Sequence, residues 1–162
     1  MTSKSAHIAL VAIVCTLSSA ATALAQRAIV VTGLDGTKVS VSLADLPRKT
    51  LNTADAAGIK TTHEGVAMSD VLAKAGIPMG GALRGKALAR VVIATAADGY
   101  QVAYSIAEID ADFNDHVILI VDTRNGKPLL ADSGPLQIVV PQDKRAARWV
   151  RQVIQLEVRQ LP

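Results

Sequence analysis

Five residues able to do chemistry crowd one short stretch near the end of the chain: Lys144, Arg145, Arg148, Trp149 and Arg151. Trp149 is the only tryptophan of the protein. An indole is a stacking face. A guanidinium is planar and permanently charged, so it can stack or make forked hydrogen bonds to an oxygen or an anion. The stretch therefore predicts recognition of a flat or anionic group, or ion pairing with an acidic window upstream. That window runs from Arg90 to Arg124; it holds no Lys or Arg between those ends but contains Asp98, Glu108, Asp110, Asp112, Asp115 and Asp122.

The other reactive side chains are scattered. His63 and Glu64 close a long segment without clean periodicity, where they can reach the mouth of a cavity. His116 follows Asp115 in a polar turn, and the spacing of these two histidines is not that of a metal site. Tyr100 and Tyr104 bracket a strand-like run. No Ser-His-Asp order or nucleophile elbow is present, and the glycines around Gly81 lack the strand and helix context of a phosphate loop. Hydrolase and nucleotide-binding chemistry are not indicated.

The N-terminal residues read as an export signal. Lys4 precedes an apolar run from Ile8 to Leu17, followed by the small-residue pattern Ala23-Leu24-Ala25, so residues 1–25 are expected to be removed and Gln26 to begin the mature protein. The run is shorter than the ~20 residues that cross a bilayer, so the mature protein is expected to be periplasmic and not membrane-inserted. Residues 26–162 are expected to form one domain. The only cysteine, Cys15, lies in the signal, so burial of Val, Ile, Leu and Ala must stabilise that domain without disulfides. Losing Lys4 from the 17 basic residues leaves 16 against 14 acidic, too even for electrostatic capture of nucleic acid.

The elements that must position these groups are mostly short strands. Ala28–Val31 and the alternating Val39, Val41 and Leu43 predict two strands joined by Gly33-Leu34-Asp35-Gly36. Residues 44–64, punctuated by Pro47, Asn52 and Gly58, predict a long loop with at most one helical turn. A helix capped by Ser69 carries Val71, Leu72 and Ala75 and stops at Gly76. Ala89–Ala96 and Tyr100–Tyr104 predict a hairpin through Ala97-Asp98-Gly99, with Tyr100, Val102 and Tyr104 on one face. Ser105 and Glu108 match a capping box for a brief helix. Val117–Val121 predicts a strand covered on both faces, Asn125-Gly126 a turn, Leu136–Val140 a strand, and Ile154, Leu156 and Val158 a final alternating strand. The sum is an α+β domain, rich in strands in mixed sheets, with short helices. Its longest irregular segments, 44–64 and 141–148, are where a site is expected.

Five blocks in order carry a family resemblance: E-G-V-A-M-S-D-V-L at Glu64–Leu72, A-D-G-Y at Ala97–Tyr100, V-I-L-I-V-D-T-R-N-G-K-P-L at Val117–Leu129, S-G-P-L-Q-I-V-V-P at Ser133–Pro141, and R-A-A-R-W-V at Arg145–Val150. Together they resemble the molybdopterin-binding domain of the sulfite oxidase superfamily. The resemblance implies that fold, and a cysteine thiolate on molybdenum from the loop before the first block. Here the matching stretch, roughly Leu43 to Thr62, offers Thr50, Asn52 and Thr53 instead. Gln137 stands where the family has an arginine and Ser133 where it has a histidine, and the loop after Pro141 is shorter.

The chain is also similar to small exported proteins of this fold that lack the metal-binding cysteine and bind free pterins, some of them periplasmic partners of membrane-bound signalling enzymes that make or break a cyclic dinucleotide. The resemblance thus implies a non-catalytic pterin-binding protein, with a pterin as ligand, no covalently bound cofactor and no metal. Trp149 would stack on the pterin, Arg145 and Arg148 would bond its oxygen or side-chain anion, and Asp122 would face its donor edge, with Glu64 and Asp98 as rivals. His63 and Tyr100 complete the expected binding set. Two further readings stay open: a molybdopterin-dependent oxidoreductase working with an electron-transfer subunit, and an assembly protein that uses its basic end for a protein contact.

Overall fold

The structure, a computed structural model, describes residues 27–55 and 57–162. The expected signal and Cys15 lie outside the described residues. Among the described residues ten strands form two five-stranded sheets. In the first, β1 (Ala28–Thr32) pairs antiparallel with β2 (Lys38–Ser42) and parallel with β10 (Val153–Gln160). β10 pairs with β5 (Arg90–Ala96), which forms the predicted hairpin with β6 (Gln101–Ser105). In the second, β3 (Arg48–Ala54), β4 (Lys60–Ala67), β7 (Leu119–Arg124) and β8 (Lys127–Pro128) run in that order, and β9 (Gln137–Val139) also pairs with β7. Among the described residues two short helices, α1 (Met68–Lys74) and α2 (Ile106–Ile109), and several 3₁₀ turns complete a mixed α+β domain. No helix among the described residues is long and apolar enough to cross a membrane.

The main core lies between the sheets and takes Val31, Val41, Val66, Leu72, Val92, Tyr104, Ile120, Ile138 and Leu156 from both of them and from α1. Full burial of each such aliphatic side chain contributes roughly 1.5–3 kcal/mol, which is how a domain without disulfides holds. β7 is covered on both faces, as its unbroken apolar run predicts: Ile118 and Ile120 enter the main core, while Leu119 and Val121 join Val139 in a second cluster on the outer face of the second sheet. Trp149 packs against both clusters.

Four local expectations are corrected. Residues 44–64 are not a loop: after a 3₁₀ turn at Leu43–Asp45, β3 and β4 form a hairpin in continuous register from Arg48↔Val66 to Ala54↔Lys60. β3 is an edge strand with only Leu51 and Thr53 partly buried, so its sequence carries no apolar alternation, and backbone pairing with β4 makes the strand. Helix α1 starts at Met68 with no side-chain cap, its first amide donating to Ile118 O instead. Tyr100 precedes β6 and is half exposed, whereas Val102 and Tyr104 are buried. Ile154 is 50% exposed because β10 has a bulge between Val153 and Gln155, which turns it away from the face of Leu156 and Val158. The Ser105–Glu108 capping box forms as predicted.

A second bulge matters most for the site. β4 pairs Glu64 with Thr123 and Gly65 with Val121, so β7 carries one extra residue, Asp122. Normal alternation would put Val121 and Arg124, three apart, on opposite faces; the bulge restores Arg124 to the outer face, directly opposite His63. Gly65 is required beside it, because a Cβ there would lie 2.1 Å from Ile120 O.

Candidate functional site

The outer face of the second sheet carries a cleft of about 610 Å³. The β3–β4 hairpin supplies Thr53, Asp55, Thr61 and His63, β7 supplies Arg124, and β9 supplies Gln137. The segment after β9 crosses over this face and adds Asp143, Lys144, Trp149 and Arg151. The two segments expected to hold a site both contribute walls, although the first does so as a hairpin.

His63 and Trp149 form one corner, with ring centroids 5.7 Å apart and planes at 87°. Trp149 Nε1 donates to Val140 O at 2.9 Å, which fixes the indole. His63 is buried, its Nε2 lying 3.1 Å from Thr53 Oγ1 and its Nδ1 having no partner among the described residues. Burial, and then the neighbouring Arg124 charge, lower its pKa, so the imidazole is neutral at pH 7. Arg124 donates through one terminal nitrogen to Gln137 Oε1 at 2.7 Å. Its Nε has no partner among the described residues.

The remaining predicted residues sit elsewhere. Arg148 points out of the cleft into a closed network: its Nε and one terminal nitrogen donate to Asp143 at 2.9 and 2.7 Å, and the other donates to Glu108 at 3.2 Å. Its guanidinium also lies 5.5 Å from the centre of the Tyr104 ring, and its carbonyl accepts from the Tyr104 hydroxyl. The Asp143 hydrogen bonds raise the Arg148 pKa further, and burial raises that of Tyr104, so neither group titrates near neutral pH. Pairing of the basic stretch with the acidic window is thus realised at Arg148 and Glu108. Arg145 is exposed and is not part of the cleft wall.

Asp122 does not face the cleft. Its carboxylate accepts from both terminal nitrogens of Arg48 at 2.8 and 2.7 Å, with Arg27 at 3.8 Å. Burial would raise its pKa, but the Arg48 and Thr123 hydrogen bonds outweigh that and hold it below the usual carboxylate range. Glu64 follows His63 in β4 and so points to the opposite face, between Thr50 and Thr123. Tyr100 donates to Ala147 O at 2.9 Å and lines a smaller recess of about 270 Å³ with Asp98, Trp149 and Arg151, adjoining the main cleft across the last two.

Sequence reasoning missed Arg124 and Asp55, and treated Gln137 only as a departure from a family pattern. It also chose Arg145 and Arg148 from the basic stretch where the cleft uses Lys144 and Arg151. Nothing in the order of residues distinguishes those pairs; the 3₁₀ turn at Ala146–Arg148 does.

The charges of the wall are asymmetric. Both oxygens of Asp143 are held by Arg148, and one oxygen of Asp55 accepts from the amides of Ala57 and Ile59. Arg124, Lys144 and Arg151 face this largely occupied acidity, so the cleft suits a ligand rich in acceptors. Measured against a molybdopterin, the wall fits the organic part: an indole face, a neutral imidazole, amide and guanidinium donors, and cations for a phosphate. It does not fit the metal, because the donors around it are hydroxyl, carboxylate, imidazole and amide, with no sulfur. Among the described residues no three His, Cys, Asp or Glu side chains are grouped to hold a metal ion.

No curated protein matches the chain at a significant level. The model of the oxidoreductase molybdopterin binding domain matches residues 42–162, which include β3 to β10 and every residue of the cleft wall. The two-sheet arrangement, the cleft and this match agree: the chain belongs to the oxidoreductase molybdopterin binding domain family, with its sulfite oxidase-like α+β fold.

Proposed function

We propose that this protein is a non-catalytic pterin-binding protein of the periplasm that reports ligand occupancy to a membrane-bound signalling partner. The observation that carries the reading is the cleft itself: a stacking corner of Trp149 and His63 above the Arg124–Gln137 donors, with no sulfur ligand on its walls. Its volume lies in the range of small-molecule sites and accommodates a bicyclic ring with a side chain. Trp149 is held by Val140 and is therefore preorganised to stack. The export signal read from residues 1–25 supports the compartment, and the similarity to small exported pterin binders supports the partner.

The family itself favours a second reading, a molybdopterin-dependent oxidoreductase with an electron-transfer subunit. Lys144 and Arg151 would hold the phosphate of that cofactor, and Trp149 and Gln137 would hold its pterin. The group would supply redox chemistry at its metal; the side chains here would bind and orient it but offer the metal no thiolate.

Titration of the full chain with 6-hydroxymethylpterin, read by the fluorescence of its single tryptophan, tests the proposal. Saturable quenching at one pterin per chain is expected. No response at millimolar pterin would remove the proposal.

A further inference from the structure

Gln137 is 3% exposed, so its amide must be satisfied or be aimed at something. The Arg124 guanidinium donates and never accepts, and it lies 2.7 Å from the side-chain oxygen. Arg124 therefore dictates the amide orientation: Oε1 turns to the guanidinium, and the Nε2 donors turn the other way. They have no protein partner among the described residues, and they are not among the atoms sealed away without one. Because Gln137 lines the cleft, those donors are offered to its contents. Arg124, in register with His63 across β4 and β7, lines the cleft beside it. Of the two carboxylates in the wall, Asp143 is turned to Arg148 and Asp55 accepts through one oxygen from the amides of Ala57 and Ile59.

We propose that Arg124 and Gln137 are a specificity pair that recognises a ring oxo group, so that the cleft takes oxo-substituted pteridines and rejects those with an amino group in the same place. The inference rests on the pterin-binding reading and names which edge of the ring is read. An oxo group accepts from both side chains. An amino group brings a donor against donors, leaving buried polar groups unpaired, the circumstance in which binding sites discriminate most strongly.

The test compares two ligands that differ in the oxo or amino group at C4 and, with it, in the proton on N3, 6-hydroxymethylpterin and 2,4-diamino-6-hydroxymethylpteridine, titrated into the full chain at neutral pH and read by Trp149 fluorescence. The wild type is expected to bind the oxo compound at least about tenfold more tightly. In Gln137→Glu the new carboxylate pairs with Arg124 and presents an acceptor in place of the amide donors, so the preference is expected to reverse. Arg124→Lys, which keeps the charge but loses the fork that orients the amide, is expected to shrink the preference to a few fold. Thermal melts of each variant establish that it is folded, and the wild-type comparison stands without them. Equal binding of the two compounds by the wild type, or an unchanged preference in folded Gln137→Glu, would overturn the specificity pair and leave pterin binding intact. Binding of neither compound would overturn both.

Discussion

Arg148, next to Trp149 in the chain, and Arg124, which lines the cleft with it, are used in opposite ways. Arg148 spends its donors on Asp143 and Glu108 and lies over the Tyr104 ring, a closed network that ties the segment after β9 to α2 and β6. Arg124 pairs with a neutral amide whose own donors are unspent among the described residues, and stands beside a neutral histidine. A charge whose bonds are all made within the fold is framework, whereas one held beside unspent donors is available to a ligand. Asp122 belongs with the first kind, closed by Arg48 and Arg27.

The contrast can be broken by substitution. Trp149 joins both regions, so Trp149→Ala should have the largest effect: a loss of about 3 kcal/mol in urea unfolding, together with abolished pterin binding measured by calorimetry. Trp149→Phe should restore most of the stability. Asp122→Asn should cost about 2 kcal/mol by leaving Arg48 without its carboxylate, with pterin affinity unchanged. The pH dependence gives the same pair a sign. A depressed carboxylate contributes stability that is complete above its unfolded pKa and is lost as pH falls through the lower folded value, so acid unfolding should be less steep in Asp122→Asn.

Arg148→Ala should cost about 1–2 kcal/mol, since its partners are partly solvated, and change pterin affinity by no more than a few fold. Lost binding at unchanged stability would instead make Arg148 a ligand residue and erase the contrast. His63 is held neutral by burial, so folding resists its protonation: its contribution is intact above the ordinary histidine pKa and declines as pH falls below it. His63→Gln should flatten that part of the stability profile. Arg145→Ala should stay within about 0.5 kcal/mol of wild type and leave binding unchanged.

How far the sequence reveals this molecule follows from which forces leave a pattern in it. Strands β1, β2, β5 and β7 bury one face or both, so alternation or an apolar run marks them, and the Ser105–Glu108 box marks α2 through specific hydrogen bonds. β3 escapes because its stability comes from backbone pairing at a sheet edge and leaves the side chains polar. The bulge at Asp122 escapes as well, and with it the placement of Arg124 opposite His63. Of the site, Trp149 and His63 were legible as rare ring side chains, although His63 was read at the end of a loop and lies in β4. Asp122, Arg145 and Arg148 were indistinguishable by type from Asp55, Lys144 and Arg151. Only the partners supplied by distant strands and turns separate a paired charge from an offered one.

In the proposed function the cleft holds a pterin without a metal. Mass spectrometry of the protein isolated from cells that express it, with elemental analysis for molybdenum on the same sample, tests that most directly. A released pterin without stoichiometric molybdenum is expected; one molybdenum per chain would contradict metal-free binding and restore the oxidoreductase reading.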